Sequence, residues 1–355
     1  MKVTKEMGII LPDTTIDAGE PVFLDTKKAP FHLHGFCEPF LRVPHDVATA
    51  TSESVLDLSQ MSAGCRVRFR TDSDYIVFHA DLKEETAPQH SILASCGADL
   101  FEFSEGSYHF RGCCYPSQGA GKTYLESRVR LRPGMKDLVM DLPLFAKIQN
   151  LYIALREGCE LEEGGDYARK KPVVFYGSSI VHGVGTCRPG GNYPAIISRI
   201  LNTEFINLGF SGAAKAEPAI LDYIATLPMS VFVYDYDHNA PSPAYLRETH
   251  YAGYRRFRAV QPTTPIIMAS KPDYYNPNVE IEDAEERRQI IIASYNRARA
   301  EGDENVWFVD GSLMYDPEYR EESTADGCHP NDVGYQSMAK AIGAAIVEAF
   351  AKIQA

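Results

Sequence analysis

Val173-Val174-Phe175-Tyr176-Gly177-Ser178-Ser179-Ile180-Val181-His182-Gly183 is the stretch on which the reading of this chain turns. Its first four residues are apolar and mostly β-prone, as in a short buried strand, and the run then breaks at a glycine and two serines. In an open α/β sheet, ligands bind in the crevice beyond the carboxyl edge of the strands. A serine at that edge, just before a helix, can face a substrate while its own amide lies near the helix's positive end. Ser179 is therefore a candidate nucleophile. Gly-Ser-Ser is also an ordinary turn sequence, so the assignment depends on its surroundings.

Toward the C-terminus, strand and helix alternate strictly. The patterning predicts helices over 193–201, 216–227, 244–260, 281–300 and 333–353, and strands over 205–208, 230–235, 265–269 and 305–310. Such alternation means a parallel sheet with helices on both faces, a three-layer α/β domain. Toward the N-terminus the pattern is different. Cys65-Arg66-Val67-Arg68-Phe69-Arg70-Thr71 alternates with period two, Tyr75–Ala80 is β-branched and aromatic, and further strands follow at 128–131, 137–142 and 149–155. Many short strands separated by turn clusters predict a β-sandwich of the jelly-roll type. The polar stretch 156–171 is the natural connector, giving domains 1–160 and 161–355.

The composition excludes several functions. With 45% hydrophobic and 23% charged residues the 355-residue chain reads as globular. A formal net charge of −13 repels phosphate backbones and anionic membranes and suits a neutral substrate. No apolar run is long enough to span a bilayer, and the first residues do not resemble a secretory leader. The eight cysteines form no Cys-x-x-Cys pair, which fits free thiols in a reducing cytoplasm. His32 and His34 share one face of a strand but lack a third ligand, so no metal site is expected there. Neither His-Glu-x-x-His nor a phosphate loop occurs, and Gly183-Val184-Gly185 continues no dinucleotide fingerprint. No cofactor is expected. The run Glu280–Arg288 reads as a solvated helix start, acidic at the dipole's positive end.

A serine nucleophile needs a base, a group that orients the base, and donors for the oxyanion. Asp326-Gly327-Cys328-His329-Pro330-Asn331 lies between the last strand and the last helix, and its spacing lets one loop supply His329 as base and Asp326 as its partner. Asn207-Leu208-Gly209-Phe210-Ser211-Gly212 follows the second strand, where a glycine lets a backbone amide approach a ligand. Tyr234-Asp235-Tyr236-Asp237-His238-Asn239 follows the third, and the Asn239 amide can serve a developing negative charge. An α/β-hydrolase elbow is excluded, because Val181 stands where its second glycine would be.

The ordered set Gly177-Ser178-Ser179, Gly212, Asn239 and Asp326-x-x-His329 resembles the SGNH (GDSL-type) hydrolases, from about Lys171 onward. The resemblance implies a flavodoxin-like α/β/α domain and maps the family's four lettered residues onto Ser179, Gly212, Asn239 and His329. Two departures stand out. Ser178 replaces the usual Asp of Gly-Asp-Ser, and Asp237-His238-Asn239 replaces the usual Gly-x-Asn-Asp. Gly209 competes with Gly212 as amide donor; the Asn-x-x-x-x-Gly spacing from Asn207 favours Gly212. Cys96-Gly97-Ala98-Asp99-Leu100-Phe101 is similar to the Gly-x-Asp-Leu-Tyr signature of the sandwich preceding a subset of these enzymes.

Relatives with that arrangement are mostly carbohydrate acetylesterases, which implies an enzyme removing acetyl groups from mannan- or xylan-type oligosaccharides. Ser179, His329 and Asp326 would form its triad, and Ser179, Gly212 and Asn239 its oxyanion hole. His182, Tyr236 and His238 flank the site in sequence and are candidate substrate contacts. The alternatives are an esterase or thioesterase for a non-carbohydrate short acyl group, and a sugar-binding protein with little activity. A sandwich edge or exposed loop could also pair subunits into a homo-oligomer.

Overall fold

The computed structural model describes residues 1–11, 14–16, 21–83, 91–116, 123–272 and 283–354. Two units emerge. The first comprises Met1–Arg42, Gln60–Tyr167 and Cys187–Gly190, and the second Val43–Ser59, Ala168–Thr186 and Gly191–Ala355.

The first unit is built from β1 (Pro21–Asp25), β2 (His32–His34), β3 (Arg66–Thr71), β4 (Tyr75–Leu82), β5 (Ala98–Ser104), β6 (Ser107–Cys114), β7 (Tyr124–Arg130), β8 (Lys136–Asp141), β9 (Ile148–Arg156) and β10 (Leu161–Glu163). One antiparallel sheet has the order β1-β9-β4-β7, the other β10-β3-β8-β5-β6 with β2 beside β3. Alternate side chains face one shared core: Val67 and Phe69 from β3, Ile76 and Phe78 from β4, Leu138 and Met140 from β8. The expected antiparallel sandwich is therefore present. Asp99 of the Gly-x-Asp-Leu signature is fully buried and accepts hydrogen bonds from Arg188 Nη1 (2.7 Å) and the Gly190 amide (3.0 Å). It thereby anchors Cys187–Gly190 within this unit.

The domain boundaries differ from those expected. Between β2 and β3 the chain forms two helices, α1 (His45–Thr51) and α2 (Glu53–Ser59), whose Ala48 and Val55 belong, with the preceding Val43, to the core of the second unit. The sequence does carry the signal, since Val43, Val47 and Ala48 recur at helical spacing. The expected connector 156–171 is itself partly strand, and the first unit extends to Tyr167. A short helix, α3 (Ile92–Cys96), precedes β5.

The second unit continues with β11 (Arg169–Gly177), α4 (Ser179–His182), α5 (Tyr193–Leu201), β12 (Thr203–Gly209), α6 (Pro218–Thr226), β13 (Val231–Asp235), α7 (Pro243–Val260), β14 (Ile266–Ala269), α8 (Ala284–Ala300), β15 (Val306–Val309) and α9 (Asp332–Gln354). The expected residues 281–282 of α8, and 280–282 of the charge run, lie outside the described residues. All five strands are parallel in the order β12-β11-β13-β14-β15. Alternation along β11 supplies both faces: Val173 and Phe175 pack with α5 and α9, while Val174 and Tyr176 pack with α6 and α7. Because β11 lies between β12 and β13, the chain turns opposite ways on its two sides and opens a crevice beyond Gly177. Among the described residues, no helix is long and apolar enough to cross a membrane.

Candidate active site

Ser179 opens α4 immediately beyond β11, and Ser178 caps that turn by accepting the Ile180 amide on its Oγ at 3.1 Å. Gly183 closes the turn in the left-handed conformation, φ 114°. Ser179 keeps 8% of its surface accessible, whereas Ser178 and Ile180 have none. Of the two serines, the turn presents only Ser179.

The base and acid arrive on the loop before α9. His329 Nε2 lies 2.9 Å from Ser179 Oγ, and His329 Nδ1 lies 2.8 Å from Asp326 Oδ2. Asp326 Oδ1 accepts the amides of Cys328 (2.9 Å) and His329 (2.7 Å), so the carboxylate also shapes the loop that carries its partner. Burial pushes the Asp326 carboxyl up, but the His329 amide, the imidazole and the Cys328 amide outweigh it and bring the pKa down to about 2. Asn331 secures the loop's exit, its Oδ1 capping α9 through the Val333 amide and its Nδ2 donating to Glu322 O. Sequence spacing and geometry agree on these three residues.

The two candidate glycines differ in what their amides already do. The Gly209 amide donates to Asn207 Oδ1 at 2.8 Å, and a Cβ there would sit 2.2 Å from the His182 nitrogen. Gly209 is a packing glycine. Gly212 has φ 69°, open space around its α-carbon, and an amide with no hydrogen bond to the protein among the described residues. Asn239 sits in the helical turn Asp237–Asn239, and its buried Oδ1 has no partner among the described residues. Arg287 Nη1 clamps that turn from α8 by donating to Asp237 O (2.7 Å) and Ala240 O (2.8 Å).

The three candidate substrate contacts are corrected. His182 is fully buried, its amide bonded to Ser178 O and its Nδ1 3.2 Å from Ser211 Oγ. Tyr236 is 1% exposed and its hydroxyl pairs with Thr249 Oγ1 at 2.8 Å. His238 has both ring nitrogens engaged, Nδ1 with Asp237 Oδ1 at 2.8 Å and Nε2 with Ser178 Oγ at 2.5 Å. None of the three offers a free polar group to a substrate. Proximity in sequence put them near the site, but strand and turn geometry buries His182 and Tyr236 and turns His238 onto Ser178 and Asp237.

Among the described residues, one group gathers ligand-type atoms closely enough for a metal: Asp235, Asp237 and His238, within 4.8 Å of one another. Most of its atoms are already committed, Asp235 Oδ1 being buried with no hydrogen-bond partner among the described residues. His238 uses both nitrogens, Asp237 Oδ2 accepts the Lys271 amide at 3.0 Å, and Asp235 Oδ2 accepts the Tyr193 hydroxyl at 2.9 Å. Burial, reinforced by the charge of Asp237, pushes the Asp235 carboxyl up to about 8, so it is protonated at neutral pH. The donor set fits a hydrogen-bond network rather than a metal centre.

Two buried groups here titrate in opposite senses. His250 on α7 is 1% exposed, stacks on Tyr234 and Tyr236, and has no hydrogen-bond partner on either ring nitrogen among the described residues. Burial pushes its pKa down from 6.5 to about 4. Its contribution to stability is full above pH 6.5 and is lost as pH falls through 4. A shift of this size corresponds to about 3 kcal/mol. Asp235 works the other way, its contribution being full below 3.8 and lost as pH rises through 8. The difference between wild type and His250→Phe isolates the histidine. Urea unfolding should show the variant losing about 3 kcal/mol less between neutral pH and pH 4. Parallel pH dependences would show that His250 is not the group that acid titrates.

A parallel five-stranded sheet with a Ser-His-Asp relay at its switch point defines the SGNH class of ester hydrolases. Residues 170–347 match the GDSL-like lipase/acylhydrolase family, and the chain belongs to that family. Residues 22–161 match the sandwich found at the N-terminus of SGNH-hydrolase-type esterases. The solved structures it resembles include a chain from Bacteroides ovatus ATCC 8483 described as a GDSL-like lipase, with 26% identity, TM-score 0.84, and 93% of this chain and 98% of that one covered. The salicylyl-acyltransferase SsfX3 from a tetracycline biosynthetic pathway matches with 22% identity and TM-score 0.74, over 92% of this chain and 98% of that one. A family two carbohydrate esterase from Clostridium thermocellum, in complex with cellohexaose, matches with 18% identity and TM-score 0.58, over 82% and 94%. No curated protein matches the chain.

Proposed function

We propose that this ester hydrolase is a carbohydrate O-acetylesterase acting on acetylated mannan- or xylan-type oligosaccharides. The observation that carries the reading is the Ser179–His329–Asp326 relay, together with a Gly212 N–H that makes no hydrogen bond to the protein among the described residues. The carbohydrate part is supported by the sandwich match and by the family two carbohydrate esterases among the fold's neighbours. A neutral sugar also suits a chain of net charge −13.

His329 Nε2 takes the proton from Ser179 Oγ as the oxygen attacks the acetyl carbonyl carbon. The resulting oxyanion is held by the amides of Ser179 and Gly212 and by Asn239. As the tetrahedral intermediate collapses, His329 passes its proton to the departing sugar oxygen. Water, deprotonated by His329, then attacks the acetyl-Ser179 ester and releases acetate. None of these steps calls on a metal or organic cofactor. Eight free cysteines suit a reducing compartment, where short imported oligosaccharides would be the substrate.

A second reading is favoured by the likeness to an acyltransferase: the same acyl-enzyme, formed from a non-carbohydrate ester. Acetate release from acetylated manno- and xylo-oligosaccharides, run beside aryl esters of increasing chain length, separates the two. The proposal expects release from one sugar backbone and turnover that collapses beyond short acyl groups. Turnover of aryl esters with no release from any sugar would overturn the carbohydrate assignment.

A further inference from the structure

We infer that Ser178, His238 and Asp237 form a second, buried Ser–His–Asp relay that positions the oxyanion hole, holding the Asn239 turn in register with the nucleophile turn. The inference rests on the esterase reading of Ser179 and adds residues that act behind it.

The relay is continuous and has a direction. The Ile180 amide donates to Ser178 Oγ, Ser178 Oγ meets His238 Nε2 at 2.5 Å, and His238 Nδ1 meets Asp237 Oδ1 at 2.8 Å. Asp237 Oδ2 accepts the Lys271 amide, which ties the far end to the loop after β14. Asp237 can only accept, so His238 carries its proton on Nδ1, and Nε2 accepts the Ser178 hydroxyl. Burial lowers the proton affinity of His238 against the opposing pull of Asp237, with Lys271 and His329 as the other charged or titratable neighbours, consistent with a neutral ring.

Ser178 is not a second nucleophile, because it is fully buried and its oxygen is already shared between two partners. Its position suggests a different task. Parallel pairing of β11 with β13 ends at Gly177 and Asp235, and the residues that would hold the oxyanion, Ser179 and Asn239, lie beyond that last pair on separate turns. The Ser178–His238 bond links those turns past the end of the sheet. A misplacement of about 1 Å in such a constellation costs roughly 10²-fold in rate.

The same bond accounts for both departures from the usual motif. Ser178 stands where the pattern has Asp, and Asp237-His238 stand where it has Gly-x. The carboxylate has moved to the opposite turn and the imidazole spans the gap. Two independent tolerated changes would have no reason to meet.

A double-mutant cycle on a short aryl acetate tests this, with Ser178→Ala, His238→Phe, the double variant and Ser178→Thr, rates being normalised to the folded fraction. Each single variant should lower kcat by about 10²-fold while KM moves far less, because the hole acts on the transition state. The double variant should be no worse than either single, and Ser178→Thr, which keeps the hydroxyl, should recover most of the loss. Should His238→Phe not fold, Asp237→Asn replaces it in the cycle, since it removes the acceptor that fixes the imidazole proton. Unchanged kcat in the singles, or losses that multiply in the double, would overturn the relay. Wild-type turnover abolished by Ser179→Ala keeps the esterase reading intact in either case; turnover surviving Ser179→Ala would overturn that reading instead.

Discussion

Replacing Ser179 by alanine lowers kcat on acetyl esters by about 10⁴–10⁶-fold while the fold survives. The side chain removed is a single oxygen, 8% of the residue is exposed, and the bond it loses is to His329 at 2.9 Å, a partner that water can also satisfy. Stability should therefore change little, and the loss is chemical, since the hydroxyl removed is the one that His329 faces. His329→Ala should cost nearly as much, and the double variant little more, because nucleophile and base act as one unit. Rapid-quench kinetics give the check: the wild type shows a burst of alcohol and an acetyl adduct on Ser179, and the variant shows neither. A variant that kept its burst would place the nucleophile elsewhere.

Asp326→Asn is expected to lower kcat by about 10⁴-fold, although the new side chain has nearly the same shape. Asp326 Oδ1 takes two backbone amides and Oδ2 takes His329 Nδ1. An asparagine can keep the first set with its carbonyl oxygen, but its amino group then faces Nδ1. Nδ1 must accept, and the ring's proton is driven to Nε2, where it faces Ser179 and cannot serve a base. In the wild type the carboxyl stays ionised down to about pH 2. Its contribution to stability is full above 3.8 and is lost only as pH falls through 2, so Asp326 sets no limb of the neutral pH–rate profile. The deficit of the variant should persist across the neutral and alkaline range. Recovery of full activity at higher pH would show that Asp326 acts merely as a nearby charge.

Much of the second unit is legible from period alone. The runs around Val173, Val231, Ile266 and Val306 are short, apolar and bounded by turn residues, and each becomes a strand of the parallel sheet, the last three within a residue of expectation and the first beginning earlier, at Arg169. The helix over Tyr193–Leu201 is found where expected, with Asn192 accepting the Ala195 amide as its cap. The helical segment 43–59 was missed because it interrupts a region dominated by strands, where period-two alternation sets the expectation. Its spacing holds the signal, but only packing against α6 and its neighbours shows which core it joins. Asp326-x-x-His329 was readable because three residues suffice for one loop to bond its own histidine. Gly209 and Gly212 could be ranked by spacing, yet only the structure shows the Asn207 side chain occupying the Gly209 amide.

What the sequence determined by itself is therefore local: the strand–turn–helix that presents Ser179, the compact loop that pairs Asp326 with His329, and the alternation that makes a three-layer domain later in the chain than an antiparallel sandwich. The tertiary structure decided which way side chains turn and which distant ones meet. His182 and Tyr236 lie near the site in sequence yet face the interior, and His238, sixty residues from Ser178, bonds to it instead of to a substrate. A parallel sheet brings its loops together by register and crossover rather than by proximity along the chain, so pairings between those loops follow from the packing of the layers and from no local pattern.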